Sequence, residues 1–398
     1  MHQFLFQDMF FSLEISVLTL VLLAVGLLAG LIYALWQCLR AARLQRFIDH
    51  DEQEREYVEQ LPPVSIIVDA CTETGQLPRF LPLVLAQEYP EFEVVVVANT
   101  EAEATSDALS TLKVEFPNLH ITFAPRGTRT LSRKKLALMI GIKAARYDIV
   151  LTTCANCRVT SERWLATMMR NFTPDVDIVL GYSHYRYHRD KRWGRRMRVF
   201  DTVSSGVQWL LSAIHGHPYR GVTETLAYRK HLFFDHSGFA HSMQLLWGED
   251  DVFLSEIAQG ALTRVELMPD SQVSVYYDDL RHAHRLLKVR RDFTSRMVRR
   301  KSFIVQGFMS VLWWLSLLAL VAAVVSAWPN AVVVIAAVVA VLALFGVVTW
   351  AMARISTILQ APRLWFTAPL LAWWRPLVNA VYRLRESRHE HSNYTSYI

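Results

Sequence analysis

Cysteine is scarce in this chain: Cys38, Cys71, Cys154 and Cys157 are all it holds. So few and so scattered, they exclude a disulfide framework and point to a reducing compartment for the polar part of the chain. There is no internal repeat and no low-complexity tract, so the fold is not an array of like units. Charge is absent from three long runs, Ile15–Trp36, Phe303–Trp328 and Ala331–Ala353. With 52% hydrophobic residues and a mean hydropathy of +0.19, the chain is too apolar for a purely soluble protein.

The first run has about 22 residues, roughly 33 Å of helix, enough to cross the hydrocarbon core. No basic stretch precedes it, and it is longer than the apolar core of a signal peptide, so a permanent span over 12–38 is the expectation. The other two runs, joined by Pro329-Asn330, give a transmembrane hairpin over 303–353. Arg40, Arg43 and Arg46 follow the first span; Arg290, Arg291, Arg296, Arg299, Arg300 and Lys301 precede the hairpin, and Arg354 and Arg363 follow it. The positive-inside rule then puts the N-terminus out and both the polar region and the C-terminus in the cytoplasm. Residues 361–386 carry Trp and Leu beside Arg375, Arg383 and Arg385, which suggests an amphipathic segment lying in the interface, before a polar tail over 387–398.

The 398 residues leave room for one large domain beside these spans, over 62–300 after a charged linker at 39–61. Val64–Val68, Phe92–Val97, His120–Phe123 and Asp148–Thr152 are short, apolar and largely β-branched, as buried strands are. Phe80–Gln87, Ser106–Glu115 and Lys134–Ala145 have helical character between them. The alternation predicts an α/β domain with a mostly parallel sheet, whose ligands bind beyond the carboxyl ends of the strands.

Gly248-Glu249-Asp250-Asp251 stands apart from this pattern. A glycine that permits a tight turn, followed by three acids at a helix start, can hold a carboxylate at a site mouth, where it could act as a general base. The same residues also read as an acidic first turn that complements the helix dipole. Other charged features offer less. The pairs His215/His217 and His282/His284 have poor helical ligand spacing. The C-x-x-C of Cys154 and Cys157, even with Cys71 nearby, lacks a fourth metal ligand. The basic stretches Arg186–Arg198 and Arg281–Lys301, beside three spans, suit anionic lipid rather than nucleic acid.

Several stretches together resemble glycosyltransferase family 2, in its membrane-attached bacterial form. They are Val64–Val68 with Glu73, Gln87-Glu-Tyr-Pro90, Glu93–Val97, Lys134 with Ala137, Leu138 and Gly141, Ser161 with Trp164, and Gly248–Asp251. His217-Pro218-Tyr219 with Gly221, then Leu226–Lys230, resembles that family's acceptor-side loop. The resemblance implies a GT-A fold, a nucleoside-diphosphate sugar as donor, inverting transfer, and a Mg²⁺ or Mn²⁺ ion that meets the leaving group's charge. It makes Asp250 the base, with Glu249 and Asp251 shaping its surroundings. Glu73, Asn99, Lys134, Cys154 and Asn156 would line the donor; Pro218, Tyr219 and Gly221 would border an envelope or lipid-linked acceptor at a bacterial inner membrane.

The likeness breaks at the donor side. The acid expected after the second strand is Asn99, and the family's Asp-x-Asp falls on Cys154-Ala155-Asn156. Hard cations favour carboxylate oxygen over thiol sulfur or an amide, so the metal is weakly supported and its ligands are unknown. The Gln-x-x-Arg-Trp motif of processive members is replaced by Lys288-Val-Arg290-Arg291-Asp292, which argues against a polymer synthase. Two accounts fit: Arg133, Lys134, Arg290 and Arg291 meet the diphosphate charge instead, or the domain is a catalytically inactive scaffold or sugar-binding partner.

Overall fold

The computed structural model describes residues 16–71, 74–99, 103–125, 132–185, 193–243, 245, 247–277, 279–295, 297–298 and 301–387. These divide into two compact units. One takes the described parts of Met1–Arg46, Arg192–Val203 and Lys301–Ala380; the other takes those of Phe47–Lys191, Ser204–Arg300 and Val381–Ile398.

The second unit is α/β. Its strands are β1 (Val64–Ala70), β2 (Phe92–Asn99), β3 (Leu119–Ala124), β4 (Ile149–Cys154), β5 (Cys157–Val159), β6 (Ile178–Leu180), β7 (Ser183–Tyr185), β8 (Leu226–Arg229), β9 (Thr263–Val265) and β10 (Val273–Val275). Among the described residues a seven-stranded sheet runs β3-β2-β1-β4-β8-β6-β9, and β5-β10-β7 form a smaller one. The β3-β2-β1-β4 half is parallel throughout, and β8 enters antiparallel to both β4 and β6. Every residue of β1 and of β4 is buried, which explains their unbroken apolar character: a central parallel strand has helices on both faces.

The residues that carried the family likeness do structural work here. Glu93 accepts from Ser65 Oγ and from the Arg146 amide, both at 2.6 Å, tying the amino ends of β1 and β2 to the turn before β4. Gln87 donates to the Leu83 and Ser161 carbonyls and accepts from the Leu165 amide. Tyr89 donates its hydroxyl to the Pro62 carbonyl. Gly141 lies on the helix Arg133–Ala144, where a Cβ would come within 2.4 Å of Ile67 Cγ2 and 3.1 Å of Val97 Cγ2. Its bare backbone lets that helix settle onto β1 and β2. Ser132 caps the helix by accepting from the Lys135 amide, so its amino end, with Lys134 and Lys135, sits just after β3 on the carboxyl side of the sheet.

The first unit is helical. Three helices are long and apolar enough to cross a membrane: Val17–His50, Phe303–Ser326 and Ala331–Ile358. They hold one another by close contacts, such as Ser316 Oγ donating to the Gly26 carbonyl at 2.8 Å and Tyr33 stacked on Trp313 at 4.7 Å. The stretch expected in the interface forms one helix, Thr367–Ser387, and is not among the three spans. Its Trp373 stacks on Trp314 at 4.5 Å. Arg375, which interrupts the apolar run, is nearly buried and pairs with Asp201 at 2.7 Å.

Candidate active site

Gly248 has a φ of +110°, a backbone conformation that a side chain resists. The turn it makes feeds Glu249 and Asp250 into the protein interior, ahead of the helix Val252–Ile257. All three acids are buried: Glu249 and Asp251 at 2% exposure and Asp250 at 9%. Buried carboxylates need partners, and the partners differ from one acid to the next.

Asp251 is the structural one. It caps the helix by accepting from the Val252 amide, faces Arg220 at 3.4 Å and accepts from the Thr294 hydroxyl. Cap, ion pair and hydroxyl occupy its oxygens, so the acidic-helix-turn reading describes Asp251 well. Glu249 and Asp250 share cations. Lys134 Nζ stands 3.3 Å from Glu249 Oε1; Arg290 Nη2 stands 3.0 Å from the same oxygen and 2.5 Å from Asp250 Oδ1. The guanidinium is close in charge but not aligned for hydrogen bonding. Glu249 Oε2, Asp250 Oδ1 and Arg290 Nη2 are buried with no hydrogen-bond partner among the described residues.

This crowding drives the two carboxyls apart. Burial would raise Glu249, but Arg290 and Lys134 outweigh it and hold the group down at about 2. Burial pushes Asp250 up to about 7 against the pull of Arg290, and the charges of Asp251 and Glu249 add to the rise. Neighbouring carboxyls with separated proton affinities are the arrangement from which acid and base roles are drawn.

Lys135 was not singled out from sequence, yet it positions this loop. Fully buried, it donates to the carbonyls of Ser242, Leu245 (3.0 Å) and Trp247 (2.9 Å). Burial pushes its ammonium down to about 8. Thr223 was also missed; it accepts from Lys134 Nζ at 2.7 Å. The only sequence signal for either was adjacency to Lys134 or to the Pro218–Gly221 loop.

Of the expected donor residues, the structure brings Lys134 to the acids and Cys154 near Lys134. Burial works against the Lys134 ammonium, but Cys154 and Glu249 raise its proton affinity well above the ordinary value. Asn99 ends β2, half-buried, opposite Ala124. The Asn156 amide donates to the Tyr276 carbonyl at 3.0 Å and its oxygen takes the Cys157 thiol at 3.8 Å. Glu73 lies outside the described residues. Arg133 is exposed, and its charge is felt at Cys71 rather than at the acids. On the acceptor side, the Gly221 amide donates to the Asp250 carbonyl at 3.1 Å, Tyr219 is buried and Pro218 half-buried.

A divalent ion does not fit this donor set. Cys154 offers sulfur, the Asn156 amide is engaged, and Glu249 and Asp250 already face Lys134 and Arg290. Among the described residues no group of three or more His, Cys, Asp or Glu side chains could hold an ion.

Comparison with known proteins sorts the family. The family model described as glycosyl transferase family 21 matches residues 22–382. The chain belongs to glycosyl transferase family 21. That corrects the resemblance to family 2. The residues behind that resemblance, Gln87, Tyr89, Glu93 and Gly141, staple sheet to helix, and such contacts do not distinguish one family with this scaffold from another. The family 21 chain is also similar in fold to the mannosyltransferase PcManGT of Pyrobaculum calidifontis, solved with GDP-Man and Mn²⁺: TM-score 0.51, 19% identity, over 90% of this chain and 98% of that one. GalNAc-T7, solved with UDP, GalNAc and Mn²⁺, matches at a TM-score of 0.40 and 17% identity over 56% of this chain and 45% of that one, too slight a likeness to build on. No curated protein matches the family 21 chain in sequence. Its fold is thus GT-A-like, a mostly parallel sheet with one N-terminal and two C-terminal helices apolar enough to span a membrane.

Proposed function

We propose that this chain is a membrane-attached, inverting glycosyltransferase that moves a hexose-type sugar from a nucleoside-diphosphate sugar to an envelope or lipid-linked acceptor. The observation that carries the reading is the buried pair Glu249–Asp250 set against Lys134 and Arg290 at 2.5–3.3 Å, where burial raises Asp250 and the two cations lower Glu249. A base that gains and loses its proton near neutral pH is suited to an acceptor hydroxyl. Asp250 takes the hydroxyl proton; the oxygen bonds to the anomeric carbon as the bond to the diphosphate breaks, and the nucleoside diphosphate leaves. Glu249, ionised, keeps Lys134 and Arg290 in place. Asp251 fixes the helix start through Arg220 and Thr294, and Lys135 holds the loop that delivers all three acids.

On this reading Asn99 and Cys154 border the nucleotide and diphosphate, and Pro218, Tyr219 and Gly221 border the acceptor. The Lys and Arg flanking the spans support a cytoplasmic domain, and the reading takes the membrane to be a bacterial inner membrane. The test is transfer of labelled sugar from UDP, GDP and CDP sugars in membranes carrying the protein. Equal turnover by the wild type and Asp250→Asn would remove the base from the scheme. A scaffold without nucleotide affinity would show no binding of any of the three.

A further inference from the structure

Resting on that reading, we infer that the donor diphosphate is held by fixed side-chain cations, Lys134 and Arg290, in place of a metal ion, and that donor binding is metal-independent.

The first support is the state of the carboxylates. A metal site needs free acid oxygens, and here Glu249 Oε1 is met by both Lys134 Nζ (3.3 Å) and Arg290 Nη2 (3.0 Å), while Asp250 Oδ1 faces Arg290 at 2.5 Å. A divalent cation bound to these oxygens would press against two fixed positive charges. The second is the end of β4, where Cys154 and the engaged Asn156 supply no hard ligand. The third is that Arg290 Nη2 is buried and meets Glu249 and Asp250 as ion pairs, without the alignment of a hydrogen bond. An incoming phosphate oxygen would offer it an aligned, charge-assisted bond in their place.

Charge balance points the same way. Lys134, Lys135, Arg220 and Arg290 stand against Glu224, Glu249 and Asp251, with Asp250 able to hold its proton near neutrality. The cations outnumber the ionised acids, and that excess can meet part of the negative charge of a diphosphate without importing a cation. Lys134 is held ready by Thr223 Oγ1 at 2.7 Å and stands at the first turn of the helix Arg133–Ala144, whose dipole also favours an anion. When donor is absent, the acids act as counter-ions; when it binds, Lys134 and Arg290 serve the phosphates.

The experiment uses the full chain in lipid nanodiscs and reads UDP, GDP and CDP binding by calorimetry, once with EDTA and once with Mn²⁺. Metal-independent donor holding predicts that the preferred nucleotide binds equally well in both, to within about twofold, and more weakly as salt rises. Lys134→Gln and Arg290→Gln should each weaken binding about ten- to a hundredfold in both buffers. Lys134→Arg, which keeps the charge, should lose far less. Thermal unfolding of each variant separates lost binding from lost folding, and the wild-type comparison with EDTA needs no variant. Binding that appears only with Mn²⁺ overturns the inference and leaves the transferase reading standing. Absence of binding in both buffers overturns the two together.

Discussion

At the carboxyl end of β4, Asn156 gives its amide to the Tyr276 carbonyl and takes the Cys157 thiol on its oxygen, and the neighbouring Ala155 amide donates to the Asp69 carbonyl. Across the site, on the Gly248–Asp251 turn, Glu249 Oε2 and Asp250 Oδ1 are buried without a hydrogen-bond partner among the described residues. Asn156 is neutral and hydrogen-bonded, though Thr153 Oγ1 beside it in β4 also lacks a partner among the described residues, whereas the turn is charged and its acids face Lys134, Arg290 and Arg220. Buried polar atoms are kept unsatisfied at a cost of about 1–3 kcal/mol each, and such a cost is retained where a ligand will meet them. On the proposed reading, the charged Gly248–Asp251 turn carries the chemistry and Asn156 at the β4 end serves the scaffold.

The sharpest way to break that contrast is Asp250→Asn. It removes the base but keeps the shape, so transfer should fall about 10²–10⁴-fold, while nucleotide affinity changes little because the cations remain. Labelled-sugar transfer measured beside calorimetry checks both halves. A fall in affinity as large as the fall in rate would make Asp250 a donor ligand instead.

Asp251→Ala tests the division within the turn itself. Arg220 would be left buried at about its present 6% exposure without its anion, and the Val252 amide would lose its cap. Breaking a buried pair from one side costs about 3–5 kcal/mol. Thermal unfolding should show that loss, and the residual folded protein should still bind nucleotide.

The scaffold was legible in sequence because its rules are local and periodic. Runs such as Val64–Val68 and Phe92–Val97 are apolar and β-branched, and they became β1 and β2 with two residues added at each carboxyl end. The three uncharged runs became the three apolar helices for the same reason. Gln87 and Glu93 gave away the scaffold and, since scaffolds are shared, pointed to the neighbouring family. The site was less legible because its key contacts join distant positions. Nothing about Lys135 in the sequence shows that its ammonium will reach three carbonyls more than a hundred residues away. Arg290 was visible only as one basic residue among several; its pairing with both Glu249 and Asp250 is set by the fold. The partners of Asn156 were equally hidden: its place after β4 gives no sign that the Tyr276 carbonyl, just past β10, takes its amide.

The proton affinities give a subtler test. A carboxyl raised to about 7 is protonated below that pH, so transfer per bound donor should rise about tenfold per pH unit up to about 7 and then level off. For stability the signs oppose each other. Asp250 is raised from 3.8, so its contribution is fully present below that value and is lost as pH rises toward 7. Glu249 is lowered from 4.5, so its contribution is present above that value and is lost as pH falls toward 2. An activity profile with its limb near 4 would mean that Arg290 keeps Asp250 ionised throughout, and the separation of the two acids would then not hold.

The smallest effect belongs to the β4 end. Asn156→Ala removes the donor to the Tyr276 carbonyl and should cost about 1–3 kcal/mol of stability, with nucleotide affinity within about twofold of the wild type, with or without Mn²⁺. The Tyr276 amide still donates to the residue 156 carbonyl, so the β5–β10 connection loosens without opening. Calorimetry on the variant decides it. If affinity drops about tenfold or more while thermal stability holds, the Asn156 amide leaves Tyr276 to meet the donor, the two borders share the work, and charge on the Gly248–Asp251 side is no longer sufficient to explain how a diphosphate is held.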